Sequence, residues 1–448
     1  MRHALILFLI YFISSSLSLF GQYLLSDKEL EQTKTYRDIN EAIKNADFVY
    51  ILDLRSQNLN ELPVEIGKLY KLQHLFLQGN NLKKLPSSMT KLQHLQVPKL
   101  EKNQFKEIPS VVKKLQNLAL LELRYNMVKE LPNNITKLQN LLVLDLRDNQ
   151  LTKLSEKLGL LTSLEVLELA YNSIFKLPKT MGGLKNLKLL NIAGNPIRTL
   201  PVSIYNLKNI KTLDVGFTNK LHPALVMEFV YLLPKLEELH WDACALLEVP
   251  AYIGNMKSLK RLTMNEAFGN ELPLGLTQLS GLEELELNKT QLDYLPDDIS
   301  GLKSLRRLSI QNSNIKELPD SFGELNKLES LNLEYNKLES LPQSIGKLSA
   351  LQVLYIRKNQ LKTLPESIDK IPNLRVIELQ ENPFENLPNS IDGMQQLTGL
   401  YLNDTHIKKK EVVEDLLAKR FYLILLIGMN YSQKIKLILF HYLLLKNI

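Results

Sequence analysis

Leu141-Leu142-Val143-Leu144-Asp145-Leu146-Arg147-Asp148-Asn149-Gln150-Leu151 sets the frame for the whole chain, because the same spacing of apolar residues around one polar position returns along it. The position held by Asn149 falls at Gln57, Asn80, Asn103, Asn126, Asn149, Asn172, Asn195 and Thr218. It continues at Cys244, Ala267, Thr290, Ser313, Asn336, Asn359, Asn382 and Thr405. These sixteen frames are separated by fourteen intervals of 23 residues and one of 26, between Thr218 and Cys244. Such a period across 448 residues marks a solenoid of stacked units rather than two or three independent globular domains.

The spacing has a physical meaning. In Leu144-Asp145-Leu146 a period of two sends both leucines to one face and the aspartate to the other, so each repeat offers one short strand to a parallel sheet. No repeat buries its leucines alone, and stacking is what removes them from water. The asparagine position follows the strand, where the chain turns inward and buried backbone groups need a side-chain partner. Stacked, these residues form a hydrogen-bonding column. Proline follows an aliphatic residue at Pro63, Pro86, Pro109, Pro132, Pro178, Pro201 and Pro250, and again from Pro273 to Pro388. A residue with fixed φ and no donor suits a turn segment on the side away from the sheet.

The pattern Leu-x-x-Leu-x-Leu-x-x-Asn-x-Leu-x-x-Leu-Pro-x-x-Ile, carried over roughly 48–407, resembles the leucine-rich repeat, in the variety common in bacterial exported proteins and in Ras-binding scaffolds. The resemblance implies an α/β solenoid: a curved arc with a parallel β-sheet on its concave face and turns and short helices on its convex face. It implies a binding scaffold without naming a ligand, since the motif specifies the hydrophobic skeleton and leaves the surface free.

Departures from the frame carry expectations of their own. Pro98 occupies an inward strand position, where it removes a ladder donor and weakens that strand. The extra residues after Thr218, Pro-Ala-Leu-Val-Met-Glu-Phe-Val, predict a longer helix, and the run from Thr218 to Ser313 without asparagine predicts a local irregularity. Helical spacing at Ile39, Ala42, Ile43 and Ala46 predicts a helix over 35–46 in an N-terminal cap spanning 22–47. Val412, Val413, Leu416 and Leu417 predict a capping helix over 408–420.

The first residues read as a secretory signal over 1–21: a short polar start at Arg2 and His3, an apolar run from Ala4 to Ile13, then serines leading to Gly21. Ten apolar residues are too few to span a bilayer. The net charge of +7 is uneven, because 406–448 holds eight Lys/Arg against three Asp/Glu, or +5, and Arg2 adds +1. The body is left near +1, which gives no case for nucleic acid. A single cysteine, Cys244, excludes an internal disulfide. The tail 421–448 is apolar and basic. It reads as a poorly specified extension in residue types of AT-rich codons, or else as an element lying on a membrane surface, the only membrane contact the sequence offers.

No His-Glu-x-x-His, phosphate-binding glycine loop or Gly-x-Ser-x-Gly occurs, so no catalytic, cofactor-binding or metal-binding residues are assigned and the chain is read as no enzyme. His240 and Cys244 lie close in sequence, but Cys244 falls in the asparagine column as a buried residue. Trp241 replaces a core leucine as a large filler. A ligase-type recognition arm would need a catalytic domain, and the residues after the last repeat are too few for one.

Function then falls to the outward strand positions. Glu122, Asp145, Glu168, Asn191, Asp214 and His240 form one column, with like charges about 4.8 Å apart. Arg124 and Arg147 project beside it. Ala170, Ala193 and Gly216 are expected to leave an open trough, bordered by Tyr125, Tyr171 and Phe217. Such a face suits a basic or amphipathic protein partner, with a glycan as the other ligand class. In the second half, Lys260, Glu283, Arg306 and Glu329, and Arg261, Glu284 and Arg307, alternate in sign and satisfy one another. There Tyr355 and Tyr401 are expected as exposed aromatics. The whole reads as an exported, non-catalytic protein-binding scaffold, with an intracellular signalling scaffold like the Ras-binding repeat proteins as the alternative.

Overall fold

The computed structural model describes residues 24–384 except 219, together with 391, 394, 396–402 and 405. The expected signal at 1–21, capping helix at 408–420 and tail at 421–448 lie outside the described residues. The chain divides into two compact units, Met1–Leu236 and Glu237–Ile448.

The first unit carries nine strands in chain order: β1 Thr35–Tyr36, β2 Ile51–Asp53, β3 His74–Phe76, β4 Val97–Lys99, β5 Leu120–Glu122, β6 Val143–Asp145, β7 Val166–Glu168, β8 Leu189–Asn191 and β9 Thr212–Asp214. Each pairs in parallel with the next, and equivalent repeat positions stand opposite one another, as in Leu144↔Leu167 and Asp145↔Glu168. The second unit repeats the arrangement with β10 Glu238–His240, β11 Arg261–Thr263, β12 Glu284–Glu286, β13 Arg307–Ser309, β14 Ser330–Asn332, β15 Val353–Tyr355, β16 Val376–Glu378 and β17 Gly399–Tyr401. Both units are therefore leucine-rich-repeat solenoids of the α/β class.

The strands are short because each repeat must turn after three residues to bring the next leucines inward. Leu52, Leu75, Leu121, Leu144, Leu167, Leu190 and Leu213 are fully buried in the first unit, as are Leu239, Leu262, Leu331 and Leu354 in the second. On the far side of the core most repeats form a 3-10 turn, often entered from proline; Pro63 (φ −64°, ψ 147°) precedes Val64–Lys68, and Pro342 precedes Gln343–Lys347. The backbone that proline fixes is the one the turn requires.

The asparagine column forms as the pattern predicts. Asn172 donates from Nδ2 to the carbonyls of Leu146 (2.9 Å) and Leu169 (3.0 Å), and its Oδ1 accepts from the Leu151 amide at 2.9 Å. The same set recurs at Asn103, Asn126, Asn195, Asn336, Asn359 and Asn382. Buried Cys244 and Ala267 offer no such side chain. There the backbone closes on itself, the Phe268 amide donating to the Cys244 carbonyl and the Leu246 amide to the Phe268 carbonyl, both at 2.7 Å. Thr290 and Ser313 join through their hydroxyls at 2.9 Å.

Pro98 behaves as expected: β4 keeps three register pairs with β3 but only Lys99↔Glu122 with β5. Three helices occur among the described residues: α1 Asp27–Leu30, α2 Ile39–Lys44 and α3 Pro223–Val230. The last is the longer helix predicted after Thr218, with His222 Nδ1 accepting from the Ala224 amide. The helix expected over 35–46 is shorter than its spacing suggests. Asp38 caps it, its Oδ1 accepting from the Glu41 amide at 2.7 Å, and Thr35–Tyr36 instead adds a strand beside β2. Pairing with an available sheet edge outweighs the local helical pattern for a β-branched and an aromatic residue.

Candidate partner-binding face

The first unit brings ten of the eleven expected site residues onto neighbouring repeats, five within strands β5 to β9 and five just past them. Glu122↔Asp145, Asp145↔Glu168, Glu168↔Asn191 and Asn191↔Asp214 are register partners. His240 belongs to the second unit, where its Nδ1 lies 3.2 Å from Thr263 Oγ1 and its Nε2 3.6 Å from Glu238.

The short polar side chains in this column have a structural task. Asp145, Asn191 and Asp214 each accept, through Oδ1 at 3.1 Å, the amide two residues on, from Arg147, Ala193 and Gly216. This closes the end of the strand before the backbone turns left-handed. Glutamate lies outside this series at Glu122 and Glu168.

Burial corrects the expected picture. Glu122, Asp145, Glu168, Asp214 and His240 are 2–6 % exposed, and Ala170, Ala193 and Gly216 are buried too, so these positions do not form an open trough. Each central side chain is hemmed in by its equivalents about 4.8 Å to either side. It is also flanked by a second row that the sequence reading passed over: Leu120, Val143, Val166 and Leu189, an apolar cluster with Val97 and Leu142 against it. The signal was present as aliphatic residues at the first strand position of four successive repeats. Replacing Asp145, Glu168 or Asp214 with lysine therefore inserts a cation into a buried row and does not spare the fold.

Charge compensation along the row is uneven. Arg147 grips Asp145 with Nη2–Oδ2 at 2.6 Å and Nε–Oδ1 at 3.0 Å. Burial opposes its charge, but Asp145, Glu168 and Glu122 together hold its pKa above the usual arginine value. Lys99 Nζ lies 3.4 Å from Glu122 and Arg124 Nη2 3.8 Å from Glu101. Glu168 has the weaker share of Arg147, at 3.7 Å from Nε, and its buried Oε2 has no hydrogen-bond partner. Burial pushes the Glu168 carboxyl up to about 7, helped by Asp145 and Asp214 and opposed by Arg147 and Asn191.

Solvent meets the aromatic rim instead. Tyr125, Tyr171 and Phe217 stand just past their strands in left-handed backbone (φ 56°, 55° and 56°) and are 48, 52 and 39 % exposed. The Tyr171 ring rests over Gly194, where an added Cβ would meet Cδ1 at 2.5 Å; Gly194 itself has φ +65°. Arg124, Arg147 and Asn191 are half-buried behind the rim.

In the second unit the alternating charges pair as expected: Arg261 with Glu284 (3.2 Å) and Glu286 (2.7 Å), Arg307 with Glu284, and Arg306 with Glu329 (2.5 Å). A polar ladder missed in the sequence runs beside them. Asn265 donates its amide to Asp242 Oδ1, Asn288 to Asn265 Oδ1 and Gln311 to Asn288 Oδ1, each at 2.9 Å. Tyr355 and Tyr401 are half-buried rather than exposed. Cys244 is buried, and burial pushes its thiol up to about 12, so it stays protonated; Trp241 fills the core. No group of three or more His, Cys, Asp or Glu suited to a metal, and no helix long and apolar enough to cross a membrane, occurs among the described residues.

Family profiles described as leucine-rich repeats match residues 71–92 and 162–221, and one described as a leucine-rich repeat region matches 323–420. None of the curated proteins matches the sequence. Among solved structures, a leucine-rich-repeat protein of Leptospira interrogans is 31 % identical with a TM-score of 0.77, covering 87 % of this chain and 99 % of that one. The leucine-rich-repeat ectodomain of the Arabidopsis thaliana receptor kinase GASSHO1/SCHENGEN3, solved in complex with Casparian strip integrity factor 2, is 23 % identical with a TM-score of 0.53, covering 83 % and 52 %. The functional domain of InlJ from Listeria monocytogenes is 18 % identical with a TM-score of 0.52, covering 71 % and 70 %. The last two share the fold, which is typical of non-enzymatic protein-interaction scaffolds. With its recurring 23-residue frame, its stacked strands and asparagine columns, and the Leptospira protein matched along nearly its full length, this chain belongs to the leucine-rich-repeat family.

Proposed function

We propose that the chain is an exported, non-catalytic scaffold that binds another protein through the outward face of its first unit. The observation that carries this reading is the contrast on that face between an under-compensated acidic row and a half-exposed aromatic rim. Aromatic residues on a rigid support, close to charge of one sign, are what protein-binding surfaces concentrate. The plant ectodomain of the same fold, solved with a bound partner, supports a protein or peptide ligand over a glycan. The leader-like segment at 1–21 supports export.

Peptides selected on the immobilised protein from a random display library test the face. Binding should fall sharply on a Tyr125→Ser, Tyr171→Ser, Phe217→Ser variant whose circular dichroism matches that of the parent. Undiminished binding to the folded variant would place the site elsewhere. Export is tested by the intact mass of the native protein, which should begin near Gln22; a retained Met1 would contradict it.

A further inference from the structure

We infer that the aromatic rim of the first unit is a site for a basic, proline-rich segment in the polyproline II conformation. This rests on the reading of that face as the binding surface and names what it binds.

Tyr125, Tyr171 and Phe217 recur every second repeat, with Asp148 and Gly194 between them, and all share one backbone conformation. Bulky side chains seldom occupy left-handed backbone. Three of them in five successive repeats send their side chains from the same backbone conformation at a fixed interval. With strands about 4.8 Å apart, the backbone positions that carry the rings are spaced by about 9.6 Å. A polyproline II helix advances about 3.1 Å per residue with three residues per turn, so the same face returns every 9.3 Å or so. Successive prolines of a P-x-x-P-x-x-P segment thus meet successive rings, drifting by only about 0.6 Å over the three anchors.

Other backbones fit less well. An extended strand covers the interval in three residues, but its side chains alternate, so every third one points away. An α-helix presents the same face after seven residues, or about 10.5 Å, and is too wide to lay each turn flat against a rim. Aromatic-lined grooves are also a recurrent way of recognising polyproline II segments.

The rim fixes the ligand's charge as well. Across strands β5 to β9 the central column, the column beside it and the rim together hold Glu122, Asp145, Asp148, Glu168 and Asp214 against Arg124 and Arg147, five acidic groups to two cations, with Lys102 lying 5.8 Å over the Tyr125 ring at one end. Asp148 is half-buried between two of the rings, and burial raises its pKa. Arginine or lysine between the prolines would face this excess.

The test is fluorescence anisotropy of a labelled fourfold Pro-Pro-Arg repeat with the full chain, beside a fourfold Gly-Gly-Arg repeat of equal charge without the preformed helix. The proline peptide should bind, the glycine peptide should bind about tenfold or more weakly, and a Tyr171→Ser, Phe217→Ser variant should lose about tenfold in affinity for the proline peptide. Equal binding of both peptides, indifference to the ring substitutions, or no binding of the proline peptide would each overturn the inference. If that happened while library-selected peptides still depended on the rim, the face would stand and only the proline-rich ligand would fall. Library peptides indifferent to the rim would remove both.

Discussion

In the second unit Arg261 reaches Glu284 and Glu286, and Arg307 closes on Glu284 from the other side, so Glu284 is held by two guanidinium groups and Glu286 by one. In the first unit Arg147 is committed to Asp145, and Glu168 is left at 3.7 Å from its Nε with one buried oxygen unbonded. The two faces place their charges in different columns: Arg261, Glu284 and Arg307 hold the first strand position, which is Leu120, Val143 and Val166 in the first unit, whereas Glu122, Asp145 and Glu168 hold the third, which is Thr263, Glu286 and Ser309 in the second. Alternating Arg, Glu, Arg pairs across strands, whereas Glu, Asp, Glu beside an apolar row does not. A face that satisfies itself gains little from a partner; one that leaves a carboxylate under-compensated has more to gain.

The largest expected difference lies in removing one arginine from each face. Arg147→Ala leaves Asp145 and Glu168 buried without their cation and should cost roughly 3–5 kcal/mol in urea denaturation, the range for breaking a buried pair. Arg307→Ala, on a half-exposed side chain, should cost about 1 kcal/mol or less. Similar losses at both sites would erase the distinction.

Next comes pH. The Glu168 carboxyl rises from 4.5 to about 7 on folding, so the folded chain holds a proton that the unfolded chain releases. Its contribution is fully present below about pH 4.5 and is lost as pH rises through 7, amounting to roughly 2–3 kcal/mol across that window. Glu168→Gln should flatten this part of the stability profile, and an unchanged slope would show that the residue does not titrate there.

Smaller again is Asn265→Ala in the second unit's polar ladder, which removes the Nδ2 hydrogen bond to Asp242 (3.1 Å) and the Oδ1 acceptor of the Asn288 amide and should cost about 1–2 kcal/mol. Smallest is Tyr171→Ser, which should change stability by less than about 0.5 kcal/mol while lowering partner affinity, since half the ring faces solvent.

The fold was legible because the repeat is a statement about burial: Leu144 and Leu146 point inward wherever the frame recurs, and Asn149 marks the turn. Asp145, Arg147 and the aromatic rim were placed on their face by alternation alone. Their depth was not legible. Burial of Glu168 depends on neighbours 23 residues away on either side and on the Leu120–Val143–Val166–Leu189 row, which alternation identifies as outward but cannot identify as covered. The strand at Thr35–Tyr36 escaped for a related reason, since its pairing is with Ile51–Asp53 and its local spacing is helical. The backbone closure at Cys244 and Phe268 likewise follows from a missing side chain, and a pattern that records only which residues are present does not reveal what the chain does in their place.

The central claim, that the first unit's outward face is the binding surface, is met most directly by hydrogen–deuterium exchange on the full chain with and without a library-selected peptide. Protection should concentrate in the segments carrying Tyr125, Tyr171 and Phe217 and leave the strands from Arg261 to Glu378 unchanged. Protection confined to the second unit's strands would contradict the account.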